Sequence, residues 1–215
     1  MYSQRIAAGA RQMGLELDPG CYDKLSDYVQ LLAKWNKAYN LTAVRSPEEM
    51  IHRHIWDSLA VFPLLKQLNV NRIIDVGTGP GLPGIPLSLC FPERQFTLLD
   101  SNSKKTRFLN QCKMELDLPN IRVIHSRAEE HIPEPKYEVV ISRAFTALSN
   151  MVKWCDHLLS ETGHYLSMKG VYPAEEIADI VESHQVVKVV ELAIPETEGA
   201  RHLILFKRKS TQPTG

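Results

Sequence analysis

The stretch DVGTGPGLPGIPL, residues 75–87, packs four glycines and three prolines into thirteen positions. Bare glycines let a ligand approach the backbone, and a helix that follows such a loop offers unpaired N–H groups. Two parsings carry chemistry. Read from Gly79, the series Gly79-x-Gly81-x-x-Gly84 matches a dinucleotide fingerprint, and Asp100, nineteen residues after Gly81, stands where an acid would bind a ribose hydroxyl. Read from Asp75, the series is D-x-G-x-G-x-G, with an acid two residues ahead of Gly77. Such an acid would repel a pyrophosphate and attract a ligand's ammonium group. Pro83 and Pro86 remove N–H donors from the first helical turn, where a pyrophosphate needs them. Asp100 serves either parsing.

The loop must lie between a strand and a helix. From residue 72 onward, apolar runs alternate with helical segments: RIIDV (72–76), QFTLLD (95–100), IRVIHS (121–126), YEVVIS (137–142), GHYLSM (163–168), QVVKVVEL (185–192) and RHLILFKR (201–208). Helices fit 83–91, 103–116, 147–159 and 173–183. Alternation of this kind predicts an α/β fold with a mostly parallel seven-stranded sheet covered on both faces. Only IPETEGA separates the last two runs, too short for a helical crossover, so they are expected to form an antiparallel hairpin. Residues 1–66 read as an N-terminal helical extension and 67–215 as one compact α/β unit. Asp18-Pro19 and Ser46-Pro47-Glu48-Glu49 are helix starts, the second opening a helix expected to end near Pro63.

In such a sheet ligand contacts follow each strand. The positions are Asp100-Ser101, then Ser126-Arg127-Ala128-Glu129, Ser142-Arg143 and Met168-Lys169-Gly170. Glu129 suits a ligand-binding acid and a helix-cap acid equally. Arg143, Lys169, Arg201 and the pair Arg53-His54 are basic residues placed near a strand end or facing the cleft. Asn40 suits a helix cap, and Trp35 and Trp56 suit the core better than a base-stacking platform.

Composition narrows the classes. The 215 residues carry 25 basic and 25 acidic side chains, which argues against a protein that coats nucleic acid by bulk charge but not against a local basic groove. Four scattered cysteines form no C-x-x-C pair and suit reduced thiols, with neither disulfide nor metal site expected. No apolar run approaches the ~20 residues of a membrane span, and the first residues lack a signal peptide's apolar core. A cytoplasmic protein with no obligate protein partner is expected.

The Asp75 parsing resembles motif I of the Rossmann-like methyltransferases that bind S-adenosylmethionine, whose sheets also end in a reversed strand. Eight blocks make the resemblance specific: WNKAYNLTAVR (35–45), RHIWDSL (53–59), DVGTGPGLPGIPL (75–87), FTLLDSNSKKTRFL (96–109), SRAEE (126–130), ISRAF (141–145), MKG (168–170) and RHLILFK (201–207). In this order the chain resembles the small-subunit (16S) ribosomal RNA guanine-N7 methyltransferases, also called the glucose-inhibited division protein B family. The resemblance implies S-adenosylmethionine as methyl donor and 16S ribosomal RNA, or the small-subunit particle, as substrate, at a guanine of the decoding-region loop. It implies donor contacts at Gly77, Leu82, Ala128, Glu129 and Arg143, with Gly79 and Asp100 as neighbours, and it makes Arg143, Lys169, Arg201 and the pair Arg53-His54 candidate RNA contacts. Guanine N7 carries a free lone pair at neutral pH, so no general base is required and no catalytic residue is assigned. The readings from other classes are a nicotinamide-dependent oxidoreductase and a non-catalytic donor-binding protein.

Overall fold

The computed structural model describes residues 2–143 and 146–209; Ala144 and Phe145 of the ISRAF block, and the tail beyond Lys209, lie outside the described residues. The chain opens with α1 (Tyr2–Gln12) and α2 (Pro19–Tyr39). Asp18 caps α2 by accepting the Gly20 N–H at 2.8 Å. Asn40 ends α2 in the left-handed conformation, φ 50°, as a helix cap. Asn36, one turn earlier, is buried and bridges the Val44 carbonyl and the Thr42 N–H, so it shapes the following loop.

Ser46 accepts the Glu49 N–H and starts α3 (Pro47–Met50). The helix expected to run on to Pro63 instead widens into a π-helical turn, Ile51–Trp56, and closes with α4 (Asp57–Leu59). Pro63 lies in the first turn of a new helix, α5 (Phe62–Gln67). A proline lacks only an N–H that a first turn leaves unpaired, so it begins this helix where it was expected to end one.

The α/β part runs β1 (Arg72–Val76), α6 (Gly84–Cys90), β2 (Gln95–Asp100), α7 (Ser103–Glu115), β3 (Ile121–His125), β4 (Tyr137–Arg143), α8 (Leu148–Cys155), β5 (Leu159–Lys169), α9 (Ala174–Ala178), β6 (His184–Glu191) and β7 (His202–Arg208). The seven strands are ordered β3-β2-β1-β4-β5-β7-β6. β7 is antiparallel to both neighbours, so the expected terminal hairpin forms with its second strand inserted next to β5. Where a helix over 173–183 was expected, α9 has five residues. Beyond it the backbone tightens, with Ile180 N–H bonded to Ile177 and Ser183 N–H to Ile180, and the chain enters β6 with Ile180 buried.

Strand alternation divides the core between the two sheet faces. Ile73, Phe96, Leu98, Ile141, Leu166 and Leu203 share one cluster with α6, α7 and the helices of the first 65 residues. Ile74, Val76, Leu99, Val140, Ile204 and Phe206 point the other way and pack with Leu148 and Met151 of α8. The N-terminal helices thus cover the face from which the glycine loop is reached. Trp56 is in that core, its indole N–H donating to the Ile6 carbonyl. Trp35 is partly buried and stacks on Tyr39.

One contact joins this cover directly to the loop. The fully buried Tyr28 hydroxyl donates to the Pro80 carbonyl at 2.8 Å. Burial pushes the Tyr28 pKa above its ordinary value, so the hydroxyl stays a donor. Tyr28→Phe keeps the ring and strands a buried carbonyl, which costs roughly 1–3 kcal/mol. Urea unfolding of the two proteins measures that loss.

Candidate functional site

Asp75 shares the face of Ile73 by strand alternation, and this places it beneath α6. Its carboxylate is fully buried and touches neither of the cavities described below. Oδ2 accepts the Thr78 hydroxyl at 2.6 Å and the Gly84 N–H at 2.8 Å. A Cβ on Gly84 would lie 2.3 Å from Leu98 Cδ2 and 2.8 Å from Asp75 Oδ2, so only glycine lets α6 sit this close. The expected role of Asp75, attracting a ligand's ammonium, is therefore corrected: the side chain turns inward and fastens the loop to the helix.

That fastening also decides between the two parsings. In the first turn of α6, the Gly84 N–H goes to Asp75 and the Ile85 N–H to the Gly81 carbonyl at 2.7 Å. Pro86 has no N–H, and the Leu87 N–H bonds to Pro83. No amide there remains for a pyrophosphate, and the dinucleotide reading loses the interaction on which it depends.

The loop above Asp75 takes positive φ at Gly77 (65°), Gly79 (62°) and Gly81 (100°), a region that L side chains rarely adopt. It separates two cavities that both reach Gly77. The first, about 380 Å³, is lined by Leu99, Asp100, Ala128, Glu129, Lys105 and Trp154 among others. Its walls pair an apolar slot with carboxylates, and a Cβ at the neighbouring Gly79 would meet nothing nearer than Lys105 Nζ at 4.0 Å. A nucleoside's flat ring and hydroxyls fit such a recess. Asp100 holds the loop from this side: Oδ2 accepts the Gly79 N–H at 2.9 Å, Oδ1 accepts the Asn102 N–H at 2.9 Å, and Lys105 Nζ lies 3.6 Å away.

The second cavity, about 500 Å³, gathers Gly79, Leu82, Arg143, Lys169, Arg201, Arg53 and His54. The expected donor contacts thus divide, with Asp100, Ala128 and Glu129 on one side of Gly77 and Gly79, Leu82 and Arg143 on the other. Asp57, which the motif analysis does not single out, organises the second cavity. Its buried carboxylate accepts from Arg143 Nη1 at 3.0 Å and lies 3.6 Å from Arg201 Nε. Arg143 Nη1 also donates to the Arg53 carbonyl on the π-helical turn.

All five expected RNA contacts are engaged within the protein, Arg143 and Arg201 through Asp57. His54 is buried, with Nδ1 2.9 Å from the Arg53 carbonyl and Nε2 2.8 Å from Thr42 Oγ1. A carbonyl only accepts, so Nδ1 carries the proton and Nε2 accepts the Thr42 hydroxyl. Burial and the Arg143 charge hold its pKa at about 4, and the ring is neutral at pH 7. His54 therefore offers phosphate no charge. Lys169 is largely buried, donating to the Thr146 carbonyl and to Glu176, each at 2.7 Å, while Glu176 accepts the Leu148 N–H that opens α8. It ties Thr146, through Glu176, to the start of α8. Arg53 pairs with Glu49 one helical turn away and stays half exposed.

Two outcomes follow. Burial raises the Asp75 pKa from 3.8 to about 7. The native state then holds a proton that the unfolded chain has released, so this contribution to stability is full below pH 3.8 and is lost as pH rises to about 7. Asp75→Asn keeps both acceptor contacts and should flatten that slope, a difference approaching about 4 kcal/mol across the window; urea unfolding at a series of pH values reads it. Asp57→Asn leaves Arg143 and Arg201 facing each other without a counter-charge and should cost about 1–3 kcal/mol. Adding Arg201→Met to that variant should recover part of the loss in the same assay.

The fold is shared with solved methyltransferases. A protein from Leishmania major described as a SAM-dependent methyltransferase aligns with a TM-score of 0.60 at 16% identity, covering 84% of this chain and 83% of that one. A SAM-dependent methyltransferase from Thiobacillus denitrificans, in complex with S-adenosyl-L-homocysteine, aligns with a TM-score of 0.53 at 13% identity, covering 71% and 91%. Closer similarity lies in sequence. "Ribosomal RNA small subunit methyltransferase G" of Marinomonas sp. is 50% identical over 204 residues, 95% of this chain and 97% of the relative. The protein of the same name from Klebsiella pneumoniae is 50% identical over 200 residues, 93% and 95% respectively. The GidB family model, described as rRNA small subunit methyltransferase G, matches residues 21–204. With that match and this identity along nearly its whole length, the chain belongs to the rRNA small subunit methyltransferase G family.

Proposed function

We propose that this protein transfers a methyl group from S-adenosylmethionine to N7 of a guanine in small-subunit ribosomal RNA. The observation that carries the reading is the meeting of two cavities at Gly77, in a chain belonging to a ribosomal RNA methyltransferase family. When bound, S-adenosylmethionine supplies an electrophilic methyl carbon. Asp100, Ala128 and Glu129 would hold its nucleoside, and Gly79, Leu82 and Arg143 its other end. At Gly77, bare of side chain and reached by both cavities, donor and acceptor would come within reach.

The chain's own part in the reaction is positioning. N7 attacks with a lone pair it already has, so no residue needs to remove a proton first. This suits a cavity in which His54 is buried and neutral and the Asp57 carboxylate is committed to two arginines. Holding base and donor in line removes an entropic part of the barrier. Arg201 and Arg53, on the open side of the cavity, would meet RNA phosphates, where cations position a strand without specifying its sequence.

Small subunits and naked ribosomal RNA from a strain lacking this protein, incubated with it and labelled donor, test the reading. Borohydride and aniline then cleave RNA at N7-methylguanine; cleavage at a single guanine of the small-subunit RNA is expected. Label at another atom or in another RNA would refute the specificity, and no transfer to either substrate would leave a donor-binding protein. Calorimetry should show S-adenosylmethionine binding and no NAD binding. Gly77→Leu, placing a side chain at φ 65° in the junction, should abolish donor binding in the same instrument.

A further inference from the structure

A third recess adjoins the acceptor cavity and shares Lys169 and Gly170 with it. It measures about 460 Å³ and is formed by the turn that follows β5, Val171-Tyr172-Pro173, with Glu175 and Glu176 on its far wall. Val171 is 81% exposed and Tyr172 51% exposed. They are the one adjacent pair among the large exposed apolar residues of the described chain. A soluble surface does not need such a pair, and here it stands at the rim of the acceptor cavity.

The Tyr172 ring is braced. It meets His202 edge-on, with centroids 5.7 Å apart and planes at 77°, and His202 Nδ1 lies 3.2 Å from the Gly170 carbonyl. A half-exposed aromatic ring already held by a buried neighbour loses little freedom when something stacks on it.

We propose that this recess binds the base of a nucleotide flanking the modified guanine, by stacking on Tyr172. The inference rests on the function proposed above. A strand that delivers a guanine into the acceptor cavity carries its neighbouring nucleotide past the shared rim at Lys169 and Gly170. The occupant is a base and not the backbone, because the Glu175 carboxylate on this recess repels phosphate. Lys169 does not reverse that sign, since its charge is matched by Glu176 at 2.7 Å. The Glu175 carboxylate accepts from an exocyclic amino group, which favours an amino-bearing base over uracil. The stacking also replaces part of what the strand loses when the guanine leaves its neighbours.

Two measurements test this with the full chain. In methyl transfer to small subunits, Tyr172→Ala should raise KM about tenfold, as loss of one base–aromatic stack does. Its kcat and its donor affinity should stay as in the wild type, and Tyr172→Phe should behave as wild type. In binding, a single-stranded RNA carrying 2-aminopurine beside a guanine should lose fluorescence on the wild type and on Tyr172→Phe, and keep it on Tyr172→Ala. An unchanged KM with equal quenching by Tyr172→Ala overturns the inference and leaves the methyltransferase reading standing. So does a Tyr172→Phe variant as impaired as Tyr172→Ala, which would make the hydroxyl the contact. Tyr172-dependent quenching without methylation of either RNA substrate would keep the recess and refute the proposed reaction.

Discussion

The carboxylate of Asp75 accepts the Gly84 N–H and the Thr78 hydroxyl from a position closed to water, and the geometry of the cleft depends on that grip. A buried carboxylate is costly, and the rise of its pKa to about 7 expresses the cost. In return the loop is tied to the helix below it. Asp100 holds the Gly79 N–H from the neighbouring strand, and Tyr28 holds the Pro80 carbonyl from the N-terminal helices. Three side chains from three elements thus fix three consecutive loop residues, Thr78, Gly79 and Pro80, and the helix start at Gly84. The loop can therefore stand as a wall between two cavities and leave a bare opening at Gly77.

The same principle orders the acceptor side. Arg143 emerges from β4 and Arg201 precedes β7, and both would repel each other in a partly enclosed space. Asp57, from the helix that follows the π-helical turn, stands between them. The N-terminal helices supply this carboxylate, the carbonyl that Arg143 also uses, and the tyrosine under the glycine loop. Covering one sheet face and shaping the cleft are done by the same segment.

Much of this was legible in the residues. Short apolar or β-branched runs located all seven strands, the inner ones because a strand buried on both faces has few other compositions, and the brevity of IPETEGA required the terminal hairpin. The family emerged from ordered blocks. What stayed hidden depends on direction and on distant pairing. Asp75 is visible as an acid ending a strand, but whether it meets ligand or protein depends on which face α6 covers. Asp57 lies inside a recognised block, yet its partners come 86 and 144 positions later. His54 and Lys169 look like surface cations until Thr42, Arg143 and Glu176 are placed around them. Pro63 reads as a helix end because sequence alone does not show the turn at Ala60 that lets it begin another.

In the function proposed above, the loop held from beneath by Asp75 separates the donor's nucleoside from the acceptor, with Gly77 at the junction. A crystal structure with S-adenosyl-L-homocysteine tests it most directly. Adenosine is expected between Leu99, Ala128 and Glu129, the sulfur at the Gly77 opening, and Asp75 still bonded to Gly84. A nucleoside lodged instead between Arg143 and Arg201, or an Asp75 carboxylate turned out onto the ligand's ammonium, would contradict it.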